Sequence, residues 1–251
     1  MYSCDAIKPE INYYMRPRIL IGCERSGKVR DAFIRRGFEA VSCDLEASDS
    51  DFGPHIQGDV IPLLREEWDL AILHPVCRYL CNSGVRWLYK NGSIDPVRWK
   101  LMEEGAEFFV KCLKANAKRL AVENPIPHKY AMKIIQQHYT QIIQPHQHGH
   151  GETKATCLWL KQLPVLHPSN KVAGRAHRIH SMAPGPNRSR LRSETFDGIA
   201  DAFAEQWGAV LEESGFTAHN KQSTPCKATH DPYQTELAAM RLDAVIAGGH
   251  L

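Results

Sequence analysis

RILIGCERSGKVRDAFIRRGFEAVSCDL (residues 18–45) decides the fold. RILIGCE (18–24) is an apolar run broken by Gly22, the pattern of a buried strand that ends in a turn. GKVRDAFIRR (27–36) places apolar side chains at 29, 32, 33 and 34, which fits a helix lying on a sheet, and Gly37 is positioned to close it. EAVSCDL (39–45) returns to strand character. Strand, helix and strand in so short a span make a βαβ unit, and such units build parallel sheets.

The same alternation continues outward. A short run, GDVIPL (58–63), is followed by a buried-looking strand, DLAILHP (69–75). Residues 95–119 carry small or apolar residues at 97, 101, 105, 108, 109, 112 and 113, a helical stripe opened by Asp95-Pro96. RLAVENP (119–125) reads as the next strand. An α/β fold follows, Rossmann-like, with a mostly parallel sheet flanked by helices. Beyond about residue 150 the pattern loosens into Pro-, Gly- and His-rich loops, until DGIADAFAEQWGAVLEE (197–213) forms a closing helix. The expected organisation is an N-terminal arm over 1–16, a domain over 17–213, and a linker with a short C-terminal helix (236–248) over 214–251. No internal repeat is visible.

Composition sets outer limits. A chain of 251 residues with 43% hydrophobic and 24% charged side chains can bury a sizeable core. No apolar run is long enough to span a bilayer, and the N-terminus has no apolar signal region, so cytoplasmic residence is expected. Eight scattered cysteines then read as thiols rather than disulfides. The net charge of +3 is mild, but residues 171–192 hold six Lys/Arg and no acid, a segment suited either to phosphates or to plain solvation.

Ligands of open α/β sheets bind outside the carboxyl ends of the strands. Four of those ends are polar here: Gly22-Cys23-Glu24, Cys43-Asp44, His74 to Cys77, and Glu123-Asn124. Gly22 and Gly27 frame a strand-to-helix turn where backbone can approach a ligand. Asp44, 22 residues after Gly22, suits a ribose, although a helix cap is the plainer reading. Cys77 lies just past a strand end, where Arg78 or a following helix N-terminus could favour a thiolate; a buried, inert cysteine is the alternative. Glu123 at a neighbouring strand end could donate a proton to a heterocycle nitrogen while a thiolate attacks the ring. Trp87 and Tyr89 suit either packing or stacking on a base, with packing preferred.

In this order the Gly-bearing turn, the acid after the second strand, GDV (58–60), HPVCRYL (74–80) and ENP (123–125) resemble the S-adenosylmethionine-dependent cytosine-C5 DNA methyltransferases, in particular the compact phage and prophage members. The likeness runs from about 18 to 210. It implies a class I methyltransferase fold and S-adenosylmethionine as cofactor, with S-adenosylhomocysteine as product. Gly22, Ser26 and Gly27 would shape the turn under the methionine part, Asp44 would hold the ribose, Leu45 would lie against the adenine and Asp59 would meet its amino group. Cys77 would attack C6 of the pyrimidine and Glu123 would act at N3. Pro75, Arg78, Asn124, Lys154 and Thr156 would contact the substrate, and DNA would be the partner, held through 171–192.

The chain departs from that pattern at several points. Val76 stands where the family has proline, Arg78 where it has glutamine, and the Gln-x-Arg-x-Arg stretch is absent. Only 28 residues separate Leu166 from Thr195, too few for a target-recognition domain, so little sequence recognition is expected. A non-catalytic cofactor- or DNA-binding protein, the same chemistry on a free pyrimidine nucleotide, and a modified donor are the alternative functions. HQHGH (146–150) with Cys157, and His74 with Cys77 and Cys81, lack the paired spacing of structural zinc sites, so no metal is assigned.

Overall fold

The computed structural model describes residues 16–186 and 188–216. The chain divides into two units at His219, and every described residue lies in the first. The expected arm (1–16) and the expected linker and terminal helix (214–251) fall outside the described residues, except for Arg16 and residues 214–216.

Nine strands and six α-helices are formed among these residues. They are β1 (Ile19–Gly22), α1 (Lys28–Arg35), β2 (Ala40–Asp44), β3 (His55–Gln57), β4 (Trp68–Leu73), β5 (Tyr89–Lys90), β6 (Ser93–Ile94), α2 (Pro96–Leu113), β7 (Ala117–Pro125), α3 (Lys129–Ile135), β8 (Gln141–Ile143), β9 (Thr156–Lys161), α4 (Arg178–Ser181), α5 (Arg188–Ser193) and α6 (Asp197–Glu213). Seven strands make one sheet in the order β3-β2-β1-β4-β7-β9-β8, and β5 and β6 form a separate small hairpin. Within the sheet, β3, β2, β1, β4 and β7 pair in parallel, while β9 runs antiparallel to both β7 and β8. A mostly parallel seven-stranded sheet flanked by helices is a Rossmann-like fold of the class I methyltransferase type.

Side chains alternate across the sheet and fill two cores. Leu20, Leu73, Val122 and Trp159 face α2 and α3 with Met102 and Phe109. Ile19, Ile72, Ala121 and Leu158 face α1 and α6 with Phe33, Phe203 and Trp207. Each of the central strands is therefore apolar on both faces, as buried parallel strands require. Asp95 caps α2 by accepting from the N–H groups of Val97 and Arg98, and Pro96 takes the first position, where no N–H is needed.

The short run at 58–63 follows β3: Gly58 N–H closes onto Asp44 O, and Leu63–Arg65 forms a 3₁₀ turn after Pro62. Two expectations change. The helix expected over 95–119 stops at Leu113, and its buried face is Met102, Ala106, Phe109 and Cys112, leaving Val97 66% exposed. The expected loops beyond 150 contain β9, whose CLWL core inserts between β7 and β8.

Arg30 is fully buried. Its Nε donates to Asp31 Oδ1 at 2.7 Å, and its terminal nitrogens donate to Ser42 Oγ at 2.9 Å and Ser50 O at 3.0 Å. One guanidinium thus ties α1 to β2 and to the loop after it. Removing one partner of a buried pair leaves an uncompensated charge. Arg30→Met should lower stability by about 3–5 kcal/mol, read as a fall in the urea midpoint. Adding Asp31→Leu should restore part of that loss; no change in either variant would show that the pair is not a structural tie.

Candidate active site

The parallel registers Gly22–Leu73 and Leu73–Val122 bring the ends of β1, β4 and β7 to one edge. His74, the next residue after β4, donates its backbone N–H to Gly22 O at 2.9 Å. Its Nδ1 lies 3.4 Å from Glu123 Oε2, with the two side chains 10% and 17% exposed. His74 Nε2 is buried with no partner among the described residues. Strand β9 enters the sheet from the same edge, because Thr156 pairs with Pro125. A pocket forms there, lined by His74, Glu123, Lys154, Thr156, Thr195, Phe196, Ile199 and Phe203. Lys154 Nζ donates to Glu194 O at 2.9 Å on its rim.

Charge in this pocket is tightly linked. Burial pushes the Glu123 carboxyl up, but the hydrogen bond and charge of His74, with the Lys154 ammonium, outweigh it and hold the pKa below the ordinary value. Burial, then the Glu123 charge and Cys81, push the Cys77 thiol up to about 12, against the opposing effect of Lys154. In the free protein Glu123 is a carboxylate and Cys77 a neutral thiol. The thiolate-favouring setting expected from Arg78 is not what surrounds the sulfur: Arg78 is exposed and lies over the Tyr79 ring.

On the other side of His74 is the β1–α1 turn. Glu24 is buried, and its Oε1 accepts from Val29 N–H at 2.8 Å and from Ser26 Oγ at 3.0 Å. Glu24 Oε2 is buried and unpartnered among the described residues. Gly27 precedes α1 with φ of 73°, a conformation that favours glycine. A Cβ on Gly22 would come within 2.5 Å of the Leu73 side chain, so this glycine has a packing reason as well. Asp44 Oδ1 accepts from Glu46 N–H and Asp59 Oδ1 from Ile61 N–H, each at 3.0 Å. Both carboxylates act on the Cys23 thiol, whose pKa burial and neighbouring negative groups raise, so β2 and the 58–60 turn converge there. Leu45 beside them is 73% exposed.

Not every candidate joins the pocket. Pro75 is buried in the loop after β4, and Asn124, also buried, faces the opposite side of β7 from Glu123. The Thr156 hydroxyl donates to Lys154 O at 3.1 Å. In the basic segment, Arg178 pairs with Glu152 and Arg190 with Asp49. Two histidines of HQHGH are engaged in hydrogen bonds: His148 Nδ1 lies 3.0 Å from Ser169 Oγ, and His150 Nε2 accepts from Gly198 N–H at 3.0 Å. Among the described residues no group of three metal-ligating side chains gathers, and no helix is long and apolar enough to cross a membrane. In the sequence His74 stands out only as a polar strand end and a metal candidate, and Glu24 only as a polar strand end. Their roles depend on register and burial, which spacing does not reveal. Trp87, 53% exposed, and Tyr89, 39% exposed, do not pack as preferred.

No family model and no curated protein sequence matches the chain. Similar solved structures include a protein assigned as a DNA modification methyltransferase encoded within an E. coli prophage, at 12% identity and a TM-score of 0.40, covering 67% of this chain and 55% of that one. The Entamoeba histolytica methyltransferase EhMeth is 14% identical with a TM-score of 0.39, over 63% of this chain and 58% of that one. The S. pombe Dnmt2 methyltransferase is 12% identical with a TM-score of 0.36, over 66% and 54%. The chain thus spans little more than half the length of these structures. The chain's own strand order defines the fold.

The linked charges have a measurable consequence. Below its pKa a thiol gains about tenfold in thiolate per pH unit, so alkylation of Cys77 by iodoacetamide should climb steadily from pH 7 to 9. Glu123→Gln removes a negative charge that raises the thiol pKa and should speed alkylation at pH 8 by about three- to tenfold, followed by peptide mass spectrometry. An unchanged rate would mean that the two groups do not sense each other.

Proposed function

We propose that the protein transfers a methyl group from S-adenosylmethionine to C5 of a cytosine in a nucleic acid, through a Cys77 adduct at C6 assisted by Glu123. The observation that carries this reading is the pairing of His74 with Glu123 beside Lys154 in a pocket at one sheet edge, with Cys77 near enough that the Glu123 charge raises its thiol pKa. A buried carboxylate whose charge reaches a thiol has no evident structural purpose.

The β1–α1 turn fits a cationic cofactor. Glu24 Oε2 is a buried acceptor without a donor, and the ammonium of a methionine group would satisfy it. Gly22, Ser26 and Gly27 would border that end, Asp44 would accept from the ribose hydroxyls, and Leu45 and Asp59 would flank the adenine. The bound sulfonium supplies an electrophilic methyl group.

The remaining steps belong to the protein. The resting pair is a neutral Cys77 thiol and an ionised Glu123; attack needs the reverse. Moving one proton from sulfur to carboxyl leaves the net charge unchanged. Cys77 Sγ then bonds to C6, Glu123 hydrogen-bonds N3 in its protonated form, and the C5–C6 π pair becomes available at C5. After C5 gains the methyl group, its proton leaves to a base and the Sγ–C6 bond breaks, restoring the aromatic ring and releasing a thiolate that takes its proton back from Glu123. His74 is a positioning residue that holds Glu123 in place, and Lys154 steadies the negative charge wherever it resides. DNA would be the natural polyanion for the basic segment at 171–192, and a base within a duplex would have to leave the stack to reach Cys77.

A second reading, a non-catalytic cofactor-binding protein, draws on the elevated Cys77 pKa and on Val76, 60% exposed beside the thiol where proline would stiffen the loop. Labelled S-adenosylmethionine offered with duplex DNA, single strands and dCMP separates the two. Cys77→Ser should abolish label in 5-methylcytosine and leave cofactor binding within a few-fold; turnover that survives would remove Cys77 from the reaction. Asp44→Ala should weaken cofactor binding by about 1–3 kcal/mol in calorimetry, and no loss would put the cofactor elsewhere.

A further inference from the structure

Among the described residues ten large apolar side chains are exposed, and five of them, Val76, Trp87, Tyr89, Ile94 and Val97, fall in the short stretch beginning beside Cys77. Concentrated exposed apolar surface marks a contact site. The segment is tied to the thiol turn by turn: Cys81 N–H donates to Cys77 O at 3.2 Å and Gly84 N–H to Cys81 O at 2.9 Å, where the 3₁₀ helix Asn82–Leu88 begins.

Cations interleave the rings. Arg78 and Arg98 lie 5.7 and 5.3 Å from the Tyr79 ring centre, Arg86 lies 4.7 Å from that of Trp87, and Lys129 lies 5.1 Å from that of Tyr130. None of these four makes an ion pair among the described residues. The pieces are continuous: Tyr89 Oη meets Tyr130 Oη at 2.7 Å, the Trp99 ring lies 5.1 Å from Tyr130, and His128 Nε2 bonds Tyr79 O at 2.9 Å. The nearby acids are occupied, Asp95 in capping α2, Glu103 by Trp99 Nε1 and Glu104 by Lys100. By contrast, two arginines of the 171–192 segment are already neutralised by acids.

Unpaired cations call for a polyanion, and exposed aromatic faces call for bare base faces. A duplex offers phosphates but keeps its base faces in the stack. An unpaired strand offers both. We propose that the surface carrying Arg78, Arg86, Trp87, Tyr89 and Lys129 binds an unpaired nucleic-acid strand, whose bases stack on Trp87 and Tyr89 while its phosphates meet the cations, and that the target base reaches Cys77 from this strand. The last clause rests on the reaction proposed above; strand binding does not.

The test is fluorescence anisotropy with a labelled mixed-sequence oligonucleotide of about 20 nucleotides, enough to cover a single-strand site, alongside the same sequence as a duplex. The single strand should bind at least tenfold more tightly. Trp87→Ala, at an exposed position that leaves the core intact, should weaken single-strand binding about fivefold or more, the loss of one stacked base, with an unchanged circular dichroism spectrum. Arg86→Ala should reduce the slope of log affinity against log salt by about 0.7. Preference for the duplex, or a Trp87→Ala variant that binds the strand as well as the parent, overturns the proposal. So does poly-glutamate of equal charge competing as well as the strand, which would assign the surface to an acidic protein. Strand binding lost in Trp87→Ala but no methyl transfer to any substrate would defeat the reaction and leave the surface standing. Transfer to duplex DNA or dCMP that ignores Trp87 would do the opposite.

Discussion

Parallel pairing of β4 with β7 sets Leu73 opposite Val122, so the residues that follow, His74 and Glu123, emerge at the same height on neighbouring strands. From that register the rest of the site follows. Parallel strands can offer a common edge only their carboxyl ends. Strand β9 runs the other way and offers its beginning, so Lys154 and Thr156 arrive at the edge where β7 finishes. A one-residue slip would turn Glu123 to the α2 side and bring Asn124 into its place. The apolar strands on both faces forbid it, because every core residue would have to change face as well.

Arg30 shows a different kind of constraint. Burying a guanidinium is unfavourable in itself, and a well-packed apolar residue is often as stable. Its partners lie on α1, on β2 and in the loop that follows, so the charge fixes where that loop runs rather than adding to the core. Asp44 and Leu45 sit at the start of the same loop. The edge proposed for the cofactor is thereby held from below by a network that touches none of the proposed contacts.

Much of this frame was legible in the sequence. Apolar runs ending in Gly22, Asp44, His74 and Glu123 are strands because nothing else buries so many consecutive apolar side chains in so few residues, and the helix at 197–213 was legible to the residue. Strand β9 was hidden because its four apolar residues follow a His- and Gly-rich stretch whose local signals are those of a loop. The pairing of His74 with Glu123 was hidden for another reason: 49 residues separate them, and only the register joins them. Trp87 and Tyr89 illustrate the limit of composition, since an aromatic residue looks the same in sequence whether it fills a core or faces water.

A thiol held near 12 beside a carboxylate held low is a resting state rather than a reactive one. Such an arrangement protects the sulfur, since alkylation and oxidation both proceed through the thiolate. In the proposed reaction it would also make attack conditional. A ligand that hydrogen-bonds the protonated form of Glu123 raises that carboxyl's pKa, removes the negative charge facing Cys77 and so lowers the thiol's. The nitrogen of a heterocycle does this, and bulk water does not. Activation of the nucleophile would then be a consequence of the right base entering the pocket, with His74 and Lys154 setting how strongly the empty site resists it.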